Sequence, residues 1–384
     1  MRTSTFRSSI ATRVTRSSGS RTGSARTTLF GVERAAIVVD VGFVNGLAAL
    51  RSLGRAGIRV LAVDHRPSAL GFRSRYAERV LAPSPLDDEE GFVAAVRELG
   101  PGVAFPTHDE GLRALARHRD DLDLLLPFPR DVERIQRKRV QLEAARDAPE
   151  TRFPGSAADA VAAARELAYP VLVKPSEPVG FRQRHGVQAV RCEGDADVER
   201  AYVQAEPFEP MVQEAIPGGD DELYTLGAYL DERLEPLGLF CGRKLRQTPR
   251  GVGTARVGEA VWVQEVVDAG LELLRALGCN GISQVEFKRD PRDGRFKLME
   301  VNPRLWQWHS LAAACVVDLP VIAFRDLTGT RVEPVRMNGR RRAWTIALMP
   351  GERPALPRPP FVEATWAWHD PRPALVHAVR ALRR

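Results

Sequence analysis

The stretch SQVEFKRDPRDGRFKLMEVNPRLWQWH, Ser283 to His309, decides how the rest of the chain is read. Two strand-like runs, QVEFK and FKLMEV, flank a turn of Asp290, Pro291, Arg292, Asp293 and Gly294. A Pro/Asp/Gly cluster between alternating runs signals a hairpin. Alternation puts Gln284, Glu286 and Lys288 on one face, with Val285 and Phe287 on the other. On the second run Glu300 shares a face with Asn302 and, one step on, with Arg304. Folding about Asp293 brings Glu286 opposite Glu300. Directly opposed residues lie ~5 Å apart, and like charges there repel. A cation between them removes that cost. Carboxylates and an Asn amide oxygen are the ligands hard cations such as Mg2+ take, alongside substrate phosphates.

Two readings of this pair stand. In one, Glu286 and Glu300 are solvated and Asn302-Pro303 only starts a turn. In the other, the apolar neighbours Phe296, Leu298 and Met299 mark a buried strand, whose carboxylates need partners. The order VEF, turn, MEVNPR resembles the metal-binding signature of the ATP-grasp superfamily. That resemblance implies that Glu286, Glu300 and Asn302 hold the Mg2+ (or Mn2+) of Mg-ATP, and that Arg304 sits by the reacting groups.

Charge is unevenly spread. The 384-residue chain carries +7, yet residues 1–30 alone hold six Arg and no acid. Residues 331–384 hold eleven Arg against four acids, which leaves the middle mildly acidic. A nucleic-acid-binding core would instead show a basic stripe on the folded domain. The four cysteines are far apart and show no zinc spacing, as in a reduced cytoplasmic protein. No apolar run is long enough for a membrane span. Residues 1–31, rich in Arg, Ser and Thr, read as a disordered basic tail. A targeting role is the alternative.

From Ala35 the chain reads as a βαβ unit: AAIVVD, a helix from Leu47 to Ala56 ended by Gly57, then IRVLAV. A further strand, Val103–Pro106, leads into a helix through His118. The glycines Gly42 and Gly46 fall short of a dinucleotide fingerprint. The ATP-grasp resemblance implies a Rossmann-like N-terminal domain over 32–130 that binds no nucleotide. There Asn45 and Asp109 are substrate contacts by analogy.

The expected fold class is α/β. A two-lobed ATP-grasp domain over 131–330 follows the Rossmann-like domain, with lobes of about 131–212 and 213–330. An Arg/Pro-rich extension over 331–384 carries a last helix, Ala374 to Leu382, and is expected to dock on the second lobe. Asp131 to Arg146 reads as one helix, 149–155 and 176–186 as loops, and Tyr169–Pro175 as a strand ending in Lys174. By the resemblance, Lys174 and Lys138 bind nucleotide phosphates. Arg182, in SEPVGFRQRHG, covers them in place of a glycine-rich loop. Gln213 and the main chain of Glu214 and Ile216 meet the base. One of Asp220, Asp221 and Glu222 takes the ribose; Asp221 is the representative choice. GRKLRQ resembles a segment of the D-aspartate ligase-like carboxylate–amine ligases, which implies that Arg243, Lys244 and Arg246 face the phosphoryl group and the substrate carboxylate. His309, Trp306 and Trp308 are expected to pack below the site.

The implied activity joins a small, amino-acid-like carboxylate to an amine, with ATP going to ADP and phosphate. The alternatives are ATP-dependent carboxylation of the biotin-carboxylase kind, an NAD-dependent oxidoreductase using Gly42 and Gly46, and a catalytically silent ATP-binding protein. The acid, the amine and the oligomeric state stay open, a homodimer among the possibilities.

Overall fold

The computed structural model describes residues 28–29, 32–251 and 253–382. The basic tail lies outside them, apart from Thr28–Leu29, which pairs antiparallel with Val32–Glu33. The expectation of a disordered 1–31 otherwise falls outside the described residues.

The strands Ala35–Val39, Val60–Asp64 and Gly102–Pro106 are buried at every position. That burial explains their continuous apolar sequence, because strands covered on both faces have no solvent side to make polar. They form a parallel sheet ordered Ala77–Leu81, Val60–Asp64, Ala35–Val39, Gly102–Pro106, Leu124–Leu125. The order reverses between Ala35–Val39 and Gly102–Pro106, so the loops after these two strands open onto one crevice. Helix Val44–Arg55 follows the first strand. Its Gly46 is required by close approach, since a Cβ there would lie 2.7 Å from Val41 Cα. Helix Asp109–Arg117 starts from the second loop.

A four-stranded antiparallel sheet follows, ordered Val190–Cys192, Val171–Pro175, Pro210–Glu214, Thr151–Arg152. Helices Ala157–Leu167 and Asp195–Ala205 share a core with Val171, Val173 and Val212. Three readings are corrected here. The helix expected over 131–146 is two helices, Val132–Gln136 and Lys138–Ala144, because Arg137 between them is extended. The loop over 149–155 contains a short edge strand. The loop over 176–186 is helix Pro178–His185. The Glu177 carboxylate accepts from Val179 N and Gly180 N, Pro178 opens the first turn, and Gly186 closes the last in the left-handed region.

The third sheet has eight strands. Its path runs Phe296–Asn302, Gly281–Arg289, Leu223–Leu230, Pro236–Thr248, Thr254–Ala260, Ala343–Thr345, Phe361–Glu363, and Val335–Arg336 flanks Pro236–Thr248. The cationic GRKLRQ therefore lies within a strand, where the sequence suggests a segment after one. Trp306 and Trp308 are buried beneath this sheet, as expected. Gly227, Gly242 and Gly258 make room for them: a Cβ at any of the three would come within about 3 Å of an indole ring.

The extension docks more widely than the sequence suggests. Its strand Ala343–Thr345 pairs with Thr254–Ala260, and Asp370 reaches the N-terminal parallel unit. Arg51 donates to Asp370 Oδ2 at 3.0 Å and to the carbonyls of Thr365 and Asp370 at 2.8 and 2.6 Å. Both side chains are buried. Removing one partner of a buried pair strands the other charge. Asp370→Ala is therefore predicted to cost about 3–5 kcal/mol, measured by urea unfolding. A loss below about 1 kcal/mol would show that the tie is dispensable.

Candidate active site

Glu286 and Glu300 are direct cross-strand partners, and Asn302 faces Gln284 two pairs further on, on the same face. The register shifts between Glu286 and Phe287, so that Leu298 faces Phe287 and Met299 is the extra residue. This bulge keeps both carboxylates and Asn302 on one face while Leu298 enters the core. The turn is fixed by Asp290, which is buried and accepts from Arg292 N and Lys297 Nζ, and by Gly294 at φ +77°.

The two opposed carboxylates do not face each other unpaired. Lys244 Nζ lies 2.7 Å from Glu286 Oε1, and Lys138 Nζ lies 2.7 Å from Glu300 Oε1. Gln284 Nε2 donates to Glu286 at 2.7 Å, and Asn302 Nδ2 donates to Gln284 Oε1 at 3.3 Å. Arg304 forks onto Asp109, Nε to Oδ1 at 2.6 Å and Nη2 to Oδ2 at 3.0 Å. Arg304 Nη2 also reaches Asn302 Oδ1 at 3.3 Å. Arg182 Nη2 approaches the same Asp109 at 3.2 Å, and Gln136 Nε2 donates to it at 3.0 Å.

Burial alone would push the carboxylates up. Against that burial, Lys138 and then Arg304 hold Glu300 below its usual range. Against the same penalty, Arg304 and Arg182 hold Asp109 well below it. Arg304 is in turn raised, with Asp109 and Glu300 outweighing its burial. Lys174 is the exception: burial, then the Lys138 charge, pushes its ammonium down to about 7. Its Nζ donates to Gln213 Oε1 at 2.6 Å, and Gln213 Nε2 donates to Thr151 Oγ1 at 2.9 Å.

The remaining candidates are placed as follows. The Glu214 carboxylate is held by Arg292 and Lys297, and its N–H donates to Glu150 O. The Ile216 carbonyl accepts from Lys288 Nζ at 2.8 Å. Asp220 accepts from Gln247 N, Gln247 Nε2 and Gly251 N, and Glu222 pairs with Arg289; Asp221 is the exposed member of the three. Arg243 lies opposite Tyr224, and Tyr224 opposite Phe287, so it occupies the face away from Glu286 and pairs with Glu259 at 2.6 Å. It is not brought to the carboxylates, whereas Lys244, one residue on, is. Arg246 lies 3.3 Å from Glu352 of the extension. Asn45 is buried, with Nδ2 on Thr107 O and its carbonyl 3.0 Å from His309 Nε2, so it ties loops together. Arg66, held by Asp64 at 2.9 Å, lies over Gly42, where a Cβ would meet its guanidinium. Gln284 was on the correct face by alternation, but its role between Glu286 and Asn302 was missed.

Among the described residues no group of three or more His, Cys, Asp or Glu side chains could hold a metal by itself. Two carboxylates and one amide oxygen still fit Mg2+, which takes one or two protein carboxylates and completes its octahedron with phosphate oxygens and water.

The geometry and the motif are matched by similarity to proteins with ATP-binding domains of the ATP-grasp kind. Residues 259–331 match the carbamoyl-phosphate synthase L chain ATP binding domain. The carbamoyl phosphate synthase large chain of Thermus thermophilus is 24% identical over 294 residues, 70% of this chain and 28% of that one. The D-aspartate ligase of Enterococcus faecium is 29% identical over 145 residues, 35% of this chain and 34% of that protein. The chain thus spans only a minor part of these curated relatives. Biotin carboxylase of Campylobacter jejuni superposes with a TM-score of 0.63 at 16% identity, covering 77% of this chain and 71% of that one. N5-carboxyaminoimidazole synthase of Aspergillus clavatus gives 0.60 at 16%, covering 79% and 80%.

The Lys174 shift has a checkable sign. From about pH 7 to the ordinary lysine value of 10.5, the unfolded chain holds a proton here that the folded chain has lost. Stability contributed by this site therefore rises with pH across that window, and below it the cost of burying the charge is fully present. The unfolding free energy of the wild type, relative to Lys174→Met, is predicted to climb from about pH 7 to about pH 9.5, read by urea titration at each pH. A flat difference would refute the shift.

Proposed function

We propose that the chain is an ATP-dependent ligase that activates a small carboxylate as an acyl phosphate and passes it to an amine. The carrying observation is the pair Glu286 and Glu300, in register and each closed by a lysine, beside Asn302 and Arg304. The domain reading that supports it takes 32–130 as Rossmann-like, framed by the parallel sheet, and 131–330 as two ATP-grasp lobes, framed by the four-stranded sheet and by the eight-stranded sheet, to which the extension adds three strands.

In this reading Glu286, Glu300 and Asn302 hold Mg2+. Bound there, the ion neutralises phosphate charge and sets up in-line transfer. Lys138 and Lys244, paired here with the carboxylates, would then be free to turn to phosphate oxygens. Lys138 and Lys174 then meet the phosphates, and the anion restores the Lys174 charge that burial suppresses. The acid's carboxylate oxygen attacks the γ-phosphorus and ADP leaves. The amine nitrogen attacks the acyl carbon, phosphate leaves and the amine gives up a proton. Arg304, fixed in direction by Asp109, stabilises charge on the transferred group and on the tetrahedral intermediate. Helix Pro178–His185 covers the phosphates, with Arg182 turned to Asp109 until they arrive. Exposed Asp221 is the candidate for the ribose. Four free, buried cysteines fit a reducing, cytoplasmic setting.

The test is release of ADP and phosphate from Mg-ATP across pools of amino acids, small carboxylates and bicarbonate, with and without amines. Release that needs both an acid and an amine is expected. Glu300→Ala is predicted to lower it by about 100-fold or more. Release with bicarbonate alone would favour carboxylation, and a wild type that binds no Mg-ATP by calorimetry would end the ligase reading.

A further inference from the structure

Arg256, on strand Thr254–Ala260, is an anomaly that the proposed chemistry leaves unused. Its side chain is fully buried, yet Nε and Nη1 have no hydrogen-bond partner. Only Nη2 is engaged, on Ala347 O at 3.0 Å. Buried guanidinium N–H groups are normally satisfied, and leaving them open costs free energy. Arg246 Nε is buried and unpartnered in the same way.

One anion serves both. Glu352 Oε2 lies 3.3 Å from Arg246 Nη2, 3.3 Å from Thr248 Oγ1 and 3.9 Å from Arg256 Nε. These are long contacts, all to a single oxygen, whereas a guanidinium takes a carboxylate best through two short parallel bonds. Glu363, the other nearby acid, is committed to backbone N–H groups at Ala347, Thr365 and Trp366. Two guanidiniums thus share one poorly seated carboxylate. That carboxylate comes from the irregular stretch between strands Ala343–Thr345 and Phe361–Glu363, where Leu356 is exposed.

The two arginines lie on the strands next to the candidate site. Arg246 lies two residues beyond Lys244, and Arg256 two residues before Gly258, the cross-strand partner of Lys244. The register shifts on both sides of Arg246 and sets it opposite Val257, next to Arg256, on the same two strands that carry Lys244 and Gly258.

We propose that Arg246 and Arg256 form a subsite for a second carboxylate of the acid substrate, and that Glu352 is a tethered carboxylate which the substrate displaces. The proposal rests on the ligase reading for its place in the reaction, and it narrows the acid to short dicarboxylates. Substrate would supply the two short bonds that Glu352 does not, and the stretch around Glu352 would move aside as it binds.

The test is calorimetric titration of the full chain with succinate and with glutarate, and with butyrate as the single-carboxylate control. Binding of a dicarboxylate, about tenfold or more tighter than butyrate, is expected. Glu352→Gln is expected to lower the melting temperature, to tighten dicarboxylate binding about tenfold, and to regain the lost temperature when succinate is added. Arg256→Gln is expected to lose dicarboxylate binding. Unchanged affinity in Glu352→Gln, or no saturable binding of either dicarboxylate by wild type and Glu352→Gln, overturns the proposal; Glu352 would then be a structural tie. Mg-ATP titrated into the same preparations separates the two readings. Nucleotide binding with no dicarboxylate binding removes the subsite alone, and the reverse removes the nucleotide reading alone.

Discussion

Two carboxylates placed opposite each other on a hairpin repel, and much of this molecule serves to keep them there. The bulge at Met299 holds them on one face. Lys244 approaches from the neighbouring sheet strands and Lys138 from a separate helix, and each neutralises one of the pair. The arrangement is costly to desolvate and only conditionally stable, since either lysine could be lost to a competing anion. On the proposed reading, the two lysines keep the carboxylates in place for a divalent cation.

Arg304 carries the same logic to the N-terminal unit. Its fork onto Asp109 joins the end of the hairpin to the crevice where the parallel sheet reverses order. Arg182 adds the first lobe to that point, because helix Pro178–His185 contributes it to the same carboxylate. Three sheets therefore meet at one acidic residue. A change in what Arg304 or Arg182 binds would be felt in all of them.

The hairpin was legible because its signals are local: alternation fixes faces, and the Asp/Pro/Gly turn fixes the fold-back. The parallel strands were legible from unbroken apolar runs such as AAIVVD. Helix Pro178–His185 is marked in the sequence at both ends, by Glu177, Pro178 and Gly186, although the family resemblance implies a loop there. The lysine partners of Glu286 and Glu300 were beyond reach, since those contacts cross 42 and 162 residues and depend on sheet order. Arg243 shows how narrow the margin is. It differs from Lys244 by one position, and which of the two faces the carboxylates is set by register, which no charge cluster reveals.

The tie between Arg51 and Asp370 has a consequence for how the molecule is made. The arginine belongs to the first helix after the first parallel strand, and its partner comes 319 residues later. On the ribosome the N-terminal unit must wait through the synthesis of both following sheets with a cation inside it that has no counter-charge. Domains that emerge first usually settle first. Here the parallel unit is completed by a segment translated 319 residues after Arg51, so its final consolidation waits for that segment.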